Sequence, residues 1–249
     1  MKTSYKILAA FFTIVLTSLI ICTLSLKAKY KNGDFDISKA FSDDVFQMND
    51  LEKVPLENFK HLVINGALVT KNKREVIFNP DFRINSNINQ PNILGIAPNL
   101  KSLLKQHVSN DTLYISFQKN NINENNLSRL NYSTMILQTN NLQSLNAKNL
   151  NCSVEIFQTS NTFTVTTKKS GITLNNIMTD SLILKVGANS FVNLGSYNIK
   201  NKINNLTYFL AKGSSISVAN KELLGTFTCL NPSKNISENY SQSFSIVSK

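Results

Sequence analysis

Across residues 142–219, short β-prone runs return about every 18 to 25 residues, separated by Asn, Gly, Lys and Ser. The clearest register lies in residues 152–157, 171–174, 190–194 and 214–218, where apolar and polar side chains alternate. A period of two puts Val154 with Ile156, Ile172 with Leu174, Val192 with Leu194 and Ile216 with Val218, each pair on one face. A first strand precedes each of the last three runs, at residues 163–167, 182–186 and 206–210. A single unit of two short strands cannot cover its own apolar face. It becomes stable when the next unit stacks on it, about 4.8 Å away, with strand beside parallel strand. The expectation is a mainly β chain folded as a parallel β-helix, or β-solenoid, with regular coils over about residues 133–219. Asn, about one residue in seven, suits the corners of such coils, because it tolerates left-handed backbone and its amide can bond exposed peptide groups.

The 249 residues suffice for one substantial domain plus an anchor. Residues 7–26 carry no charge, and twenty helical residues at 1.5 Å each match the roughly 30 Å hydrocarbon core of a bilayer. An N-terminal transmembrane helix is therefore expected. The competing reading is a cleaved secretory signal led by Lys2 and Lys6. An uncleaved anchor is favoured, because the apolar run exceeds a signal core and Leu26 stands where cleavage wants a small residue. The resulting organisation is a basic leader (1–6), a transmembrane helix (7–26), a tether (27–58), a β-solenoid domain (59–230) and a polar tail (231–249).

Within the tether, residues 33–58 hold seven acids and two lysines. A calcium loop begun at Asp34 would put Lys39 where glycine is required and Val45 where the bidentate glutamate belongs, so a solvated spacer is the better reading. Strands are expected at residues 59–66, 75–78 and 111–117, the last after an Asn-Asp turn signal. Residues 98–107 place Leu100, Leu103, Leu104 and His107 at helical spacing behind Pro98, which predicts a short helix packed on the sheet. A polar linker follows at 120–131. A last strand is expected at 223–230, after which the tail either caps the open end or stays loose.

The strand at 59–66, the helical turn leading into Asn110-Asp111-Thr112-Leu113-Tyr114-Ile115, and coils such as Leu142-Gln143-Ser144-Leu145-Asn146-Ala147 resemble, in that order behind an anchor and a tether, the GIN-domain family. Its members are described as auto-transporter adhesin heads and are common in Bacteroidetes-type bacteria. The resemblance covers about residues 59–219. It implies a right-handed parallel β-helix at the cell envelope and brings no catalytic residues with it. This chain is richer in Asn and Lys, and poorer in Gly and Asp, than the family's pattern.

The formal charge is +11. A lysine-dotted solenoid attracts polyanions through its long-range field, although lysines also keep strand edges soluble. No Arg follows Arg129 and no basic cluster is interleaved with aromatics, so nucleic acid is excluded as a partner. Two histidines, His61 and His107, and three widely spaced cysteines make no recognisable zinc set. A Cys152–Cys229 disulfide is open only in an oxidising compartment. No catalytic, cofactor-binding or metal-ligating residue is assigned, and no cofactor is expected.

The function expected is non-catalytic: a single-pass protein of the bacterial cell envelope, held in the membrane through residues 7–26, with its main domain outside the cytoplasm. It would present a β-helix for adhesion to an envelope polysaccharide or protein. The candidate contact residues are the outward Thr164, Thr166, Thr173 and Asn193, with Lys168, Lys169, Lys200 and Lys202 at corners. The enzymatic alternative is a polysaccharide-active β-helix using Glu155 and Asp180, provided that adjacent coils bring the two carboxyls within about 5 to 9.5 Å.

Overall fold

The computed structural model describes residues 13, 15–21, 23–24, 48–69, 75–77, 79–86, 90–117, 130, 133–158, 161–195, 203–219, 224–230, 236–237 and 244–248. The chain divides into two compact units, Met1–Gln47 and Met48–Lys249. In the first unit the described residues are helical and exposed. The hydroxyls of Ser18 and Thr23 donate to the carbonyls of Val15 and Leu19, at 2.8 and 2.7 Å. Among the described residues no helix is long and apolar enough to cross a membrane. The expected transmembrane helix at 7–26, and the single-pass location built on it, are corrected accordingly; much of that span lies outside the described residues.

Among the described residues of the second unit strand is the main element. Its first part holds β1 (Glu52–Pro55), β2 (His61–Asn65), β3 (Ala67–Val69), β4 (Glu75–Ile77), β5 (Asp81–Ser86), β6 (Ile93–Ile96), β7 (Leu104–Ser109) and β8 (Thr112–Phe117). The middle comprises β9 (Thr134–Thr139), β10 (Ser144–Lys148), β11 (Asn151–Gln158), β12 (Thr162–Lys168), β13 (Gly171–Leu174), β14 (Ile177–Val186), β15 (Phe191–Leu194), β16 (Ile203–Leu210) and β17 (Ser215–Val218). Last come β18 (Leu224–Cys229), β19 (Ile236–Ser237) and β20 (Phe244–Val247). β1 falls inside the expected tether, of which residues 27–47 lie outside the described residues, as does most of the expected linker at 120–131.

Two sheets share one core. The first runs β1-β6-β9-β5-β11-β13-β15-β17-β20-β19, and the second β7-β8-β2-β10-β12-β14-β16-β18. Each is parallel in its middle, where a strand pairs with the one two places further along the chain. Both are mixed, however, because β1–β6, β6–β9, β7–β8, β17–β20 and β19–β20 are antiparallel. The parallel β-helix expected from the repeat, and its right-handed form implied by the family resemblance, are thus replaced by two mixed sheets. The physical reason is that alternation reports which face a side chain takes, and it has the same period in strands of either direction.

The expected helix over residues 98–107 is the clearest local correction. Residues 98–103 form a turn in which the amides of Leu103 and Leu104 donate to the carbonyl of Leu100, at 2.9 and 3.1 Å, and the chain then enters β7. Asn110 and Asp111 have φ of 49° and 57°, the two left-handed residues of a tight hairpin turn, which requires a strand on each side. The helical spacing of Leu100, Leu103 and Leu104 reflects that single buried turn, while Leu104, Gln106 and Val108 alternate with exposed Lys105, His107 and Ser109.

Core packing follows columns of in-register side chains. In the second sheet Leu113, Leu62, Leu145, Val165, Leu184 and Tyr208 line up strand by strand, all buried. In the first sheet the column is Leu137, Ile84, Val154, Leu174, Leu194 and Val218. One corner is rebuilt at each layer with a left-handed residue, Asn149, Lys169, Asn189 and Gly213 in turn. The residues that follow Lys169, Asn189 and Gly213 are the buried serines Ser170, Ser190 and Ser214. Ser170 Oγ donates to the carbonyls of Ala147 and Lys168, at 3.1 and 2.9 Å, and accepts from the Leu150 amide; Ser190 Oγ accepts from the Ser170 amide. These hydroxyls satisfy peptide groups that water cannot reach at the turn.

Candidate functional site

The outward positions of the second sheet are built by the same register that fills the core. One row runs from Tyr114 through Val63, Asn146, Thr166 and Lys185 to Phe209. Two residues further along the strands, Ser116, Asn65, Lys148 and Lys168 form a second row. Tyr114 and Phe209 are exposed rings at the two ends of that row. On the neighbouring strand His107 stacks on Tyr114 with ring centroids 4.9 Å apart and planes 10° from parallel. His107 therefore sits exposed on a strand, not on a helix face, and His61 bonds the Ser144 hydroxyl through Nδ1 at 2.9 Å.

Four candidates from the sequence point outward where alternation placed them. Thr164 and Thr166 lie on the second sheet, Thr173 and Asn193 on the first, and all are half-buried between their neighbours. Lys168 and Lys169 are exposed, and Lys169 is the corner residue with φ 50°. Lys200 and Lys202 lie outside the described residues.

Where β2, β8 and β10 begin there is a feature that alternation does not announce, an open cleft of about 620 Å³ lined by Asn58, Phe59, Lys60, Asp111, Asn140 and Asn141. The amides of Lys60 and His61 donate to the Asp111 carbonyl at 2.8 and 3.0 Å, and the Gln143 amide donates to the Lys60 carbonyl at 2.7 Å, which sets the three segments side by side. Lys60 Nζ lies 2.9 Å from Asp111 Oδ2. That hydrogen bond, with the charge of the ammonium, holds the Asp111 carboxyl below its ordinary value. The cleft's two charges are thereby spent on each other, and the Asn58 amide oxygen accepts from Asn92 at 2.9 Å. The Asn110-Asp111 pair immediately ahead of β8 and the Asn140-Asn141 pair shortly before β10 mark turns, but nothing in them announces that the segments meet.

The two carboxylates of the enzymatic alternative are each engaged by an amide from the next layer. Asn175 Nδ2 donates to Glu155 Oε2 at 2.9 Å, and Asn204 Nδ2 donates to Asp180 Oδ1 at 3.0 Å. Among the described residues no group of three or more His, Cys, Asp and Glu side chains is gathered. Neither Cys152 nor Cys229 is joined in a disulfide. Burial pushes the Cys152 thiol up to about 12. Tyr208 is likewise raised, first by burial and then by its bond to Cys229.

No protein-family model matches this chain, and no curated protein matches it; membership of the family that the sequence resembles is therefore not shown. Among solved structures the chain is similar to a "putative adhesin" from Parabacteroides merdae, with 13% identity over 72% of this chain and 75% of that one, at a TM-score of 0.38. A "putative adhesin" from Parabacteroides distasonis matches with 11% identity over 72% and 76%, at 0.41. A "putative lipid binding protein" from the same species matches with 10% identity over 73% and 78%, at 0.40. These likenesses are too distant to assign an activity to this chain.

Proposed function

We propose that this chain is a non-catalytic recognition domain of the adhesin kind, whose outward strand rows bind an extended polymer or the surface of a partner protein. The observation that supports it is the ladder itself. Parallel strands in register repeat the same outward positions layer after layer, so a ligand with its own repeat meets equivalent groups along its length. Catalysis by Glu155 and Asp180 is the weaker reading, since each carboxylate is tied to an asparagine amide of the next layer.

The test is retention of the purified chain on a panel of immobilised polysaccharides and proteins, run beside an assay for released reducing ends. Retention without product is expected, and replacing Thr166 and Asn146 by bulky residues should weaken it. Product formation that disappears in Glu155→Ala/Asp180→Ala would overturn the reading in favour of an enzyme.

A further inference from the structure

We infer that the outward face of the second sheet is a binding site for an acidic polysaccharide, with Lys148, Lys168 and Lys185 pairing its anionic groups and the rings of Tyr114 and Phe209 lying against sugar faces at the two ends. The inference rests on the recognition reading above and names its surface and ligand class.

The argument begins with register. Lys148 and Lys168, twenty residues apart in sequence, are direct partners on β10 and β12. Their backbones are therefore about 4.8 Å apart. Lys185 is the partner of Thr166, two residues before Lys168, so it shares their face on the next strand. Like charges set opposite each other across a sheet destabilise it. The fold has no need of lysine there, because Asn65 and Ser116 occupy the same row on β2 and β8.

Nor are these ammonium groups neutralised from within. The ion pairs among the described residues are Lys60–Asp111, Arg83–Asp81 and Lys101–Glu52, and none involves the three lysines. Asp180 is the acid on the outward side of these strands. It lies within β14, five residues before Lys185 and about 17 Å away along an extended strand, and accepts a hydrogen bond from Asn204. A cluster of exposed, unpartnered cations on a chain of formal charge +11 concentrates anions at the surface.

The ligand class follows from what surrounds the lysines. Between the rings of Tyr114 and Phe209 lie five strand spacings, about 24 Å, occupied in order by the side chain of Val63, the amide of Asn146, the hydroxyl of Thr166 and the ammonium of Lys185. Hydroxyl-bonding and cationic groups set between two rings match a chain of sugars bearing carboxylate or sulfate. Nucleic acid fits less well. Arginine forks are absent from this face, and two rings so far apart cannot stack successive bases.

The experiment uses the full chain and measures affinity for polygalacturonate, for neutral dextran and for single-stranded oligodeoxythymidine at two salt concentrations. Lys148→Ser/Lys168→Ser/Lys185→Ser should bind polygalacturonate about tenfold or more weakly, and Tyr114→Ala should lose affinity with all lysines in place. A control set of equal formal charge away from this face, Lys53→Ser/Arg83→Ser on the first sheet with Lys101→Ser in the turn at residues 98–103, should stay within about twofold of the natural chain. Thermal melting checks folding, and relief of the Lys148–Lys168 repulsion should keep the triple variant's Tm from falling. Unchanged affinity in the triple variant, an equal loss in the control set, or tighter binding of the oligonucleotide each overturns the inference. Binding to dextran but no better to polygalacturonate overturns it and leaves the recognition reading standing; retention of no polymer or protein at all removes both.

Discussion

The middle of the molecule and its two ends are made of the same kind of strand and meet different fates. Leu206 and Phe227 are register partners in one inward column, yet Leu206 is 1% exposed and Phe227 54%. On the first sheet the comparable position, Ile246, is 3% exposed, because β20 turns back antiparallel and lies against Ile216 on β17. Burial in a stacked fold is thus supplied by the adjacent layer and not by a residue's own hydrophobicity. A layer inside the stack inherits two neighbours, whereas an end has to be closed by a strand running the other way.

The sharpest way to break this contrast is to truncate one inward side chain to alanine in each region. Leu184→Ala, in a column buried at 0% exposure, should cost about 2–5 kcal/mol in urea unfolding, whereas Phe227→Ala should cost roughly 1 kcal/mol. Equal losses would show that the end is as tightly covered as the middle.

Glycines give the next largest difference. A Cβ on Gly187 would stand 2.3 Å from the carbonyl oxygen of Thr167, and one on Gly225 would stand 2.4 Å from that of Asn204. The clash is nearly the same. Gly187→Ala should nevertheless destabilise by about 1–3 kcal/mol and Gly225→Ala by less than half of that, since an outer strand can move away and an inner one cannot.

Corner substitutions are smaller. Ser170→Ala removes a hydroxyl that accepts from the Leu150 amide and whose one proton is shared between the Ala147 and Lys168 carbonyls, and should cost about 1–2 kcal/mol. Lys169→Asn puts a residue that accepts left-handed backbone at φ 50°, and should raise stability by up to about 1 kcal/mol. Thermal melts of the two variants in parallel measure both.

The least perturbing comparison uses Cys152 and Cys229, neither of which is in a disulfide. A thiol reagent should label Cys229 on the end strand well before Cys152, which is buried in the middle. The Cys152 value, about 12 when folded, exceeds the ordinary thiol value of 9.0. Its contribution to stability is thus fully present below the unfolded value and is lost as pH rises from there toward the folded one. Cys152→Val should flatten that alkaline decline, leaving the part due to Tyr208. Equal labelling rates, or an unchanged alkaline profile in the variant, would place Cys152 nearer solvent than its column implies.

Most strands of the middle were legible. The runs read at 171–174, 182–186 and 206–210 coincide with β13 or fall within β14 and β16, because apolar alternation survives wherever one face is buried. The preference for Asn at corners was legible too, in Asn149, Asn176 and Asn189 with positive φ. The sequence misled at residues 98–107, where one buried turn imitates a helix over so short a window. It misled again at the ends, where strand direction reverses without any change of pattern. The cleft beside Lys60 and Asp111 was invisible, since its walls come from segments that are separated in sequence and meet only when β2, β8 and β10 align.

What the sequence determined by itself is which side chains face in, which face out and where the backbone turns, because the pleat and the left-handed region are local properties of a few residues. What the tertiary structure decided is strand direction at the ends, the end that is closed and the end left open, and the setting of Lys148 beside Lys168. Those depend on hydrogen bonds between layers some twenty residues apart, and a period of two carries no record of which partner a strand will find.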